Sequence, residues 1–345
     1  MKKSLLPILL GLLMLTACKQ FNTTVTDTAI LVFYNVENLF DTIDDPSIDD
    51  AEFLPQGTQQ WDTDKYFRKL KNMSDVLLSI DTLNPPALIG MAEVENRSVL
   101  EELISVSNLK RYNYQIIHKN SPDLRGIDVA LIYRPEIYKP ETSKWYSIQF
   151  PFDTSYKTRD ILYSKGQILG DETIHIFINH WTSRYGGEEV TQAKRMYLGA
   201  LLKAKADSIF KLDPTAKIIM MGDLNDNPTD ASLTEGLKAM AVSDTIQPAF
   251  LYNISLQKFQ EGEGSLFYRS WDMFDQIIVS GNLLLENSPV TLEKNSFQIH
   301  KPEWVLFYDN NGVGRPNRTA SGSRYYGGYS DHLPVYLTLI KNNSN

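Results

Sequence analysis

Cysteine is almost absent, with Cys18 the only one in 345 residues. A single thiol cannot close an internal disulfide, so stability has to come from a packed core, and a cysteine-cluster zinc site is excluded. Histidine is scarce too, at five residues, which confines imidazole chemistry to a few positions. Positive charge is in deficit: 34 Lys and Arg against 42 Asp and Glu give a net charge of −8. That balance argues against a broad nucleic-acid-binding face while leaving room for a local basic cleft. The one long apolar run, Leu5 to Leu15, is too short to span a bilayer. Repeats and low-complexity tracts are missing, so nothing marks a second folded domain. What is present is ordinary globular material, 42% hydrophobic and 22% charged, enough for a sizeable core.

Lys2 and Lys3, the apolar run and a closing stretch of small residues have the organisation of a secretory leader. Its end, Leu15-Thr16-Ala17-Cys18, resembles the lipobox of bacterial lipoproteins, in which the chain is cut before a cysteine that becomes lipid-modified. The expected organisation is a signal peptide over 1–17, a lipidated Cys18 and polar tether over 18–28, and one catalytic domain over 29–343. The expected location is the bacterial cell envelope, with Cys18 anchoring the protein to a membrane, taken to be the outer one.

Ile30 to Tyr34 is a β-branched and aromatic run that reads as a buried strand ending at Asn35. The acidic stretch Asp41 to Glu52 lacks the glycine and ligand spacing of an EF-hand loop and reads as a solvated loop. Asp62 or Thr63 can cap a helix whose Phe67, Leu70, Met73, Leu77 and Ile80 form an apolar stripe, stopped by Asn84-Pro85-Pro86. Further strands are expected at 87–91, 112–117, 129–133, 174–178, 218–221, 274–280 and 334–340, and a second long helix at 188–212.

Polar residues close these strands. Asn35 and Glu93 follow two of them, His180 a third, and Asp223 with Asn225 a fourth; Asp275 and Asp331-His332 stand where later strands begin. Strand ends on one rim present polar groups from rigid backbone. Carboxylates, amides and histidines are also what phosphoester hydrolysis needs: oxygen ligands for Mg²⁺ and a His–Asp pair to move protons. Singly each has a bland reading. Glu93 passes for a solvated charge, Glu95 reads as surface, and Gly222 to Pro228 passes for a turn. Their order along the chain is what the bland readings leave unexplained.

Asn35-Val36-Glu37-Asn38, Ala92-Glu93-Val94, Asn179-His180-Trp181, Gly222-Asp223-Leu224-Asn225, Phe274-Asp275 and Ser330-Asp331-His332-Leu333-Pro334-Val335 resemble the successive motifs of the endonuclease/exonuclease/phosphatase superfamily. The likeness runs from about Ala29 to Ile340. It implies a four-layer α/β sandwich, two packed mixed sheets flanked by helices, and a metal-dependent hydrolase. It also implies roles. Glu93 is then the principal Mg²⁺ ligand, with Asn35 and Asp331 beside it and Mn²⁺ able to substitute. Asp223 and Asn225 orient the attacking water and the phosphate. His332, polarised by Asp275, binds phosphate or acts as base, and His180 protonates the leaving oxygen. His118, His175 and His300 fall outside the motifs and are expected to be structural or surface residues.

Arg159 and Arg184 are the candidate phosphate-binding residues, since arginine grips phosphate with a fork of donors. Arg195 reads equally well as a surface ion pair. Arg125 and Asp128 belong to a further family-like stretch without an assigned role. The Asn-His-Trp-x-Ser-Arg piece is similar to extracellular nucleases, so nucleic acid is the leading substrate class. Sphingomyelinase-like and inositol-phosphatase-like enzymes share the catalytic set, but no convincing exposed apolar loop suits a lipid substrate. A silent ligand-binding lipoprotein would have lost a catalytic carboxylate or histidine, and none is missing; no feature calls for a protein partner.

Cys18→Ser is expected to abolish processing and acylation, because the lipid attaches to that sulfur and supplies the membrane affinity. Metabolic labelling with palmitate checks this: label retained by the variant would overturn the anchor.

Overall fold

The computed structural model describes residues 27–342. The leader, Cys18 and all of the tether before Asp27 lie outside the described residues. Thirteen strands build two mixed sheets. They are β1 (Thr28–Leu39), β2 (Leu88–Val94), β3 (Gln115–His118), β4 (Asp128–Tyr133), β5 (Tyr138–Tyr146), β6 (Ile161–Ile168), β7 (Glu172–His180), β8 (Lys217–Asp223), β9 (Leu251–Asn253), β10 (Asp275–Ser280), β11 (Val290–Leu292), β12 (Gln298–Ile299) and β13 (Val335–Lys341). The first sheet runs β11-β13-β1-β2-β4-β3, with β12 also paired to β13; the second runs β5-β6-β7-β8-β10-β9. Three long helices, α1 (Thr63–Ser79), α2 (Arg97–Val106) and α3 (Glu188–Leu212), flank them, and a short fourth spans Leu256–Gln260. This is the four-layer α/β sandwich.

Each sheet has one parallel pair at its centre, β1 with β2 and β7 with β8. Parallel neighbours need a crossover, supplied by α1 in one case and α3 in the other. The consequence is that Asn35, Glu93, His180 and Asp223 all sit at carboxyl ends of parallel strands. β10 is antiparallel to β8 and opens with Asp275 opposite Asp223. β13 is antiparallel to β1, pairing Val335 with Phe33, so His332 just before it falls at the same rim.

Alternation decides which core each side chain enters. Ile174, Ile176 and Ile178 of β7, Ile219 and Met221 of β8, and Ile277 and Val279 of β10 join the large core between the sheets. Phe177, Ile218, Met220 and Ile278, of opposite parity, pack under Leu198, Leu202 and Ala206 of α3. Gly90 lets the sheets meet, since a Cβ there would lie 2.7 Å from Ile178 Cδ1. Asp62 caps α1 by accepting from Lys65 N at 2.9 Å. Leu70, Met73 and Leu77 are buried as the stripe requires, but Phe67 is 43% exposed.

Several sequence expectations shift. β1 does not stop at Asn35; it continues to Leu39 through a break in register between Asn35 and Leu39. The strand expected at 112–117 begins only at Gln115, because Asn108–Tyr112 forms a 3₁₀ turn closed by left-handed Asn113. The acidic stretch 41–52 is not simply solvated: Asp50 is buried and accepts from Asp45 N at 2.9 Å, and Phe53 just after it stacks on Phe40. A late hairpin, Leu306–Tyr308 with Gly314–Pro316, leaves Phe307 and Tyr308 half exposed, where no exposed apolar loop was anticipated.

Gly199, in the middle of α3, packs against the turn that follows the Asp223 loop. Helix propensity alone would make Gly199→Ala stabilising by about 1 kcal/mol. A Cβ there, however, would stand 2.3 Å from the Ser232 carbonyl oxygen and 2.9 Å from Leu237 N. Gly199→Ala is therefore expected to lower stability by about 1–3 kcal/mol, and a urea titration showing a gain would refute this packing.

Candidate functional site

Parity carries His180, Asp223 and Asp275 onto the inter-sheet face at the rim, continuing the series Ile176–Ile178, Ile219–Met221 and Ile277–Val279. His180 pairs with Asp223 across β7 and β8, and Asp275 with Asp223 across β8 and β10. Glu93 has the wrong parity: Gly90 faces the other sheet, so a regular β2 would turn Glu93 away. A register break around it, with Glu93 at φ 65°, re-aims the side chain inward. Glu37 and Asn38 in the β1 bulge and Asn225 after β8 are also at positive φ. Such backbone is costly for non-glycine residues, and here it is concentrated at one rim.

The side chains converge. Asn35 Nδ2 donates to Asp223 Oδ2 at 3.0 Å and reaches Glu93 Oε1 at 3.5 Å, while Asn35 Oδ1 accepts from Glu37 N at 3.1 Å. Glu93 Oε2 accepts from Asn38 N at 2.9 Å. His180 Nε2 lies 3.6 Å from Asp223 Oδ2 and 4.0 Å from Glu93 Oε1. His332 Nε2 is 3.8 Å from Asp223 Oδ2, and its Nδ1 is 2.6 Å from Asp275 Oδ2. Asn225 donates its backbone N–H to Asp223 Oδ1 at 3.0 Å and its side chain to the Trp181 carbonyl at 3.1 Å. Asp331 takes the Arg318 guanidinium at 3.2 Å.

The two histidines differ electrostatically. Burial opposes charge on His332, but the Asp275 carboxylate on its Nδ1 overrides this and holds it well above the usual imidazole range. His180 is held well below that range by burial and by the nearby Arg159, Arg125 and His332, and its Nδ1 has no partner. Burial, with Asp275 adding to it against the relief from His332, raises the Asp223 carboxyl.

Donor chemistry fits a hard divalent cation: several carboxylate oxygens and no thiolate. In this arrangement Asn35 turns its NH₂ to Glu93 and Asp223 and so orients those carboxylates; an amide flip would offer its oxygen to a cation instead. Asp223, Asp275 and His332 also lie close enough to share an ion. The short His332–Asp275 bond makes that trio a proton-bearing dyad with a neighbouring carboxylate.

Of the candidate phosphate-binding residues, Arg184 has its donors taken by protein groups. Arg159 has Nη1 and Nη2 taken but keeps a buried Nε without a partner among the described residues, and it lines the neighbouring cleft. Arg159 is buried against Asp123 at 3.1 Å and the Trp181 carbonyl. Arg184 is held by Asp226, Asp230, Glu188 and the Asn225 carbonyl. Arg195 is not on the surface: it is fully buried, 2.7 Å from Asp226. His118, His175 and His300 bond to Asp128, Tyr163 and Ser79, away from the cluster. Glu37 went unnoticed in the sequence. Buried beside Lys69 of α1, it accepts from Arg318 Nε at 3.0 Å and Thr319 N at 2.6 Å, tying a distant loop to the β1 bulge. Its place in Asn35-Val36-Glu37-Asn38 was the available signal. Next to the cluster opens a cleft of about 950 Å³, whose lining includes Glu37, Asn38, Trp61, Arg125, Tyr185 and Arg318.

The sequence profile of the endonuclease/exonuclease/phosphatase family matches residues 30–341, and the chain belongs to that family. Its fold and family define a phosphoesterase hydrolase. Solved structures share the fold at low identity. TDP2 of D. rerio complexed with single strand DNA product is 16% identical with a TM-score of 0.54, covering 92% of this chain and 100% of its own. The human nocturnin catalytic domain with bound sulfate is 16% identical with a TM-score of 0.54, covering 92% and 95%. The mannosyl-6-phosphatase of Bacteroides thetaiotaomicron is 15% identical with a TM-score of 0.55, covering 90% and 99%. Among curated proteins, none matches the chain.

Glu95 was expected on the surface and is instead buried, accepting from Asp41 N at 2.7 Å. Burial, with Asp41 and Asp50 nearby, pushes its carboxyl up to about 8. A carboxyl raised by folding favours the native state fully below its unfolded value of about 4.3. That advantage is lost as the pH rises through the folded value. Glu95→Gln should therefore gain stability relative to wild type between roughly pH 4.5 and pH 8. The gain should reach on the order of 2–4 kcal/mol and then level off. Urea unfolding in EDTA at several pH values tests this, and a pH-independent difference would rule it out.

Proposed function

We propose that the rim cluster hydrolyses a phosphate ester with the help of a divalent cation, Mg²⁺ by preference and Mn²⁺ as a substitute. The observation that carries this reading is the convergence of Glu93, His180, Asp223 and His332 from separate strand ends of two sheets, each within 4.0 Å of a neighbour in the group. Glu93 and Asp331 are the carboxylates that would hold the cation. Bound there, it supplies Lewis-acid neutralisation of the phosphate and of the departing oxygen.

The chain's own residues supply the rest. Asp223, raised by burial and fixed by Asn35 and Asn225, orients the attacking water and accepts its proton. His332, kept charged by Asp275, binds a phosphate oxygen and can return a proton to the leaving oxygen. His180, neutral at this burial, offers an N–H to the phosphate without adding charge, rather than a readily transferred proton.

On substrate, likeness of Asn179 to Arg184 to extracellular nucleases supports nuclease-type phosphodiester hydrolysis, as does a structural neighbour holding a DNA product. The cleft favours a compact phosphate ester: its charges are mixed, Asp49, Glu52 and Asp153 among them, and a structural neighbour is a mannosyl-6-phosphatase. The envelope location with a lipidated Cys18 belongs to the same proposal and is supported by the leader sequence.

EDTA and Glu93→Gln are each expected to abolish hydrolysis, the latter with native circular dichroism, because the amide keeps the shape and removes the charge. His332→Ala, by losing a positioned proton donor, and His180→Ala, by losing a preorganised N–H to the phosphate, should each reduce turnover about a hundredfold or more. The double variant should lose much less than the product of the singles, since both serve one transition state. Full activity in Glu93→Gln would overturn the metal assignment, and full activity in His180→Ala would remove that residue from the mechanism.

A further inference from the structure

Two arginines outside the phosphate-binding set expected from the sequence stand beside the rim carboxylates. Arg125 and Arg318 both line the cleft, with side chains 54% and 42% exposed. Arg125 Nη2 donates to Asn38 Oδ1 at 2.6 Å and lies 3.9 Å from Glu93 Oε2. Arg318 Nη2 reaches Asp331 Oδ2 at 3.2 Å. Each guanidinium thus touches one of the two carboxylates proposed to hold the cation, and Nη1 of each has no protein partner among the described residues.

Neither side chain is loosely placed. Arg318 Nε is fixed by Glu37 Oε1 at 3.0 Å and by the Ala320 carbonyl at 2.6 Å. Glu37 in turn is buried in the β1 bulge and holds Thr319 N. Arg125 rides on a loop whose Asp123 accepts from Arg125 N at 3.0 Å, and the buried Arg159 secures Asp123. Arg159 therefore acts by positioning the loop that carries Arg125.

We infer that Arg125 and Arg318 form a two-sided clamp for the non-bridging oxygens of a phosphate monoester, so that dianionic monoesters are the preferred substrate class and their alcohol part occupies the cleft. The inference rests on the phosphoesterase reading of the same site. A monoester carries about −1.5 to −2 charges at neutral pH, against the single charge of a diester. Glu93, Asp223, Asp275 and Asp331 already make the rim acidic, so a dianion needs cationic groups beyond one divalent ion. Guanidinium forks supply charge and paired donors together. A polyanionic strand would instead call for a continuous basic groove, and this cleft mixes Asp49, Glu52, Asp123 and Asp153 with its basic residues.

The test is kinetic, on purified full chain with Mg²⁺, comparing p-nitrophenyl phosphate with bis-p-nitrophenyl phosphate. Wild type should prefer the monoester in kcat/KM. Arg125→Ala and Arg318→Lys should each lower monoester kcat/KM roughly ten- to hundredfold, while the diester value falls much less. Added guanidinium should restore part of the loss in Arg125→Ala. Arg318→Lys retains a charge beside Glu37, and unchanged melting temperatures confirm folding of both variants. Equal losses on the two esters, no loss, or a wild type that cleaves only the diester would overturn the clamp and leave the phosphoesterase reading standing. A wild type that cleaves neither would overturn both.

Discussion

The site depends on burying negative charge at the seam of two sheets. Asp223, on the second sheet, accepts from Asn35 on the first, and Asp275 stands beside it on β10. Carboxylates so placed lose hydration and repel one another, which is why Asp223 is raised. The cluster is tolerable only with cationic groups within reach. His332 supplies one inside the seam, and Arg125 and Arg318 supply two at its mouth. A divalent cation would complete the same balance, and the acidic cluster has groups that could hold one.

Irregular backbone is the second requirement. Regular strands bring His180, Asp223 and Asp275 to the rim by parity alone, but parity sends Glu93 the wrong way. The left-handed residue in β2 corrects this, and the β1 bulge turns Glu37 and Asn38 so that they can bind Arg318 and Glu93. Sheet pairing on both sides, and the packing of Phe33, Ile178 and Met221 around Gly90, provide the over-determined surroundings that such strain needs.

Legibility in the sequence divides along these lines. Strands with alternating or continuous apolar residues, such as those around 129–133, 174–178 and 218–221, were readable because burial on both faces leaves a strong compositional mark. The polar residues at their ends were readable as a set through order and spacing. The half-exposed β5, with residues such as Lys139, Glu141 and Lys144 facing outward, carried no such mark and went unseen, as did the more buried β6, whose apolar run is interrupted by Ser164 to Gln167. Bulges were invisible as well, since Glu37 and Glu93 are not residues that announce positive φ. Glu95 looked like a surface charge because nothing local shows that the loop from Asp41 folds back over it.

Arginine roles were the least legible for a related reason. Arg159, Arg184 and Arg195 lie near motifs and so resembled ligands for phosphate, yet tertiary folding delivers Asp123, Asp226 and Asp230 to them. A guanidinium engaged by carboxylates gives up most of its freedom to bind substrate, and for the buried Arg159 and Arg195 removing the carboxylate would leave an uncompensated charge. These pairs instead hold the loops after β7 and β8 and the loop carrying Arg125. Arg125 and Arg318, whose partners sit at the rim itself, are consequently left open to a ligand, and exposed Lys157 is a further cation lining the cleft. Proximity to a motif in sequence therefore identified the loops that shape the cleft, while the groups that face it were decided by which carboxylates the fold had already neutralised.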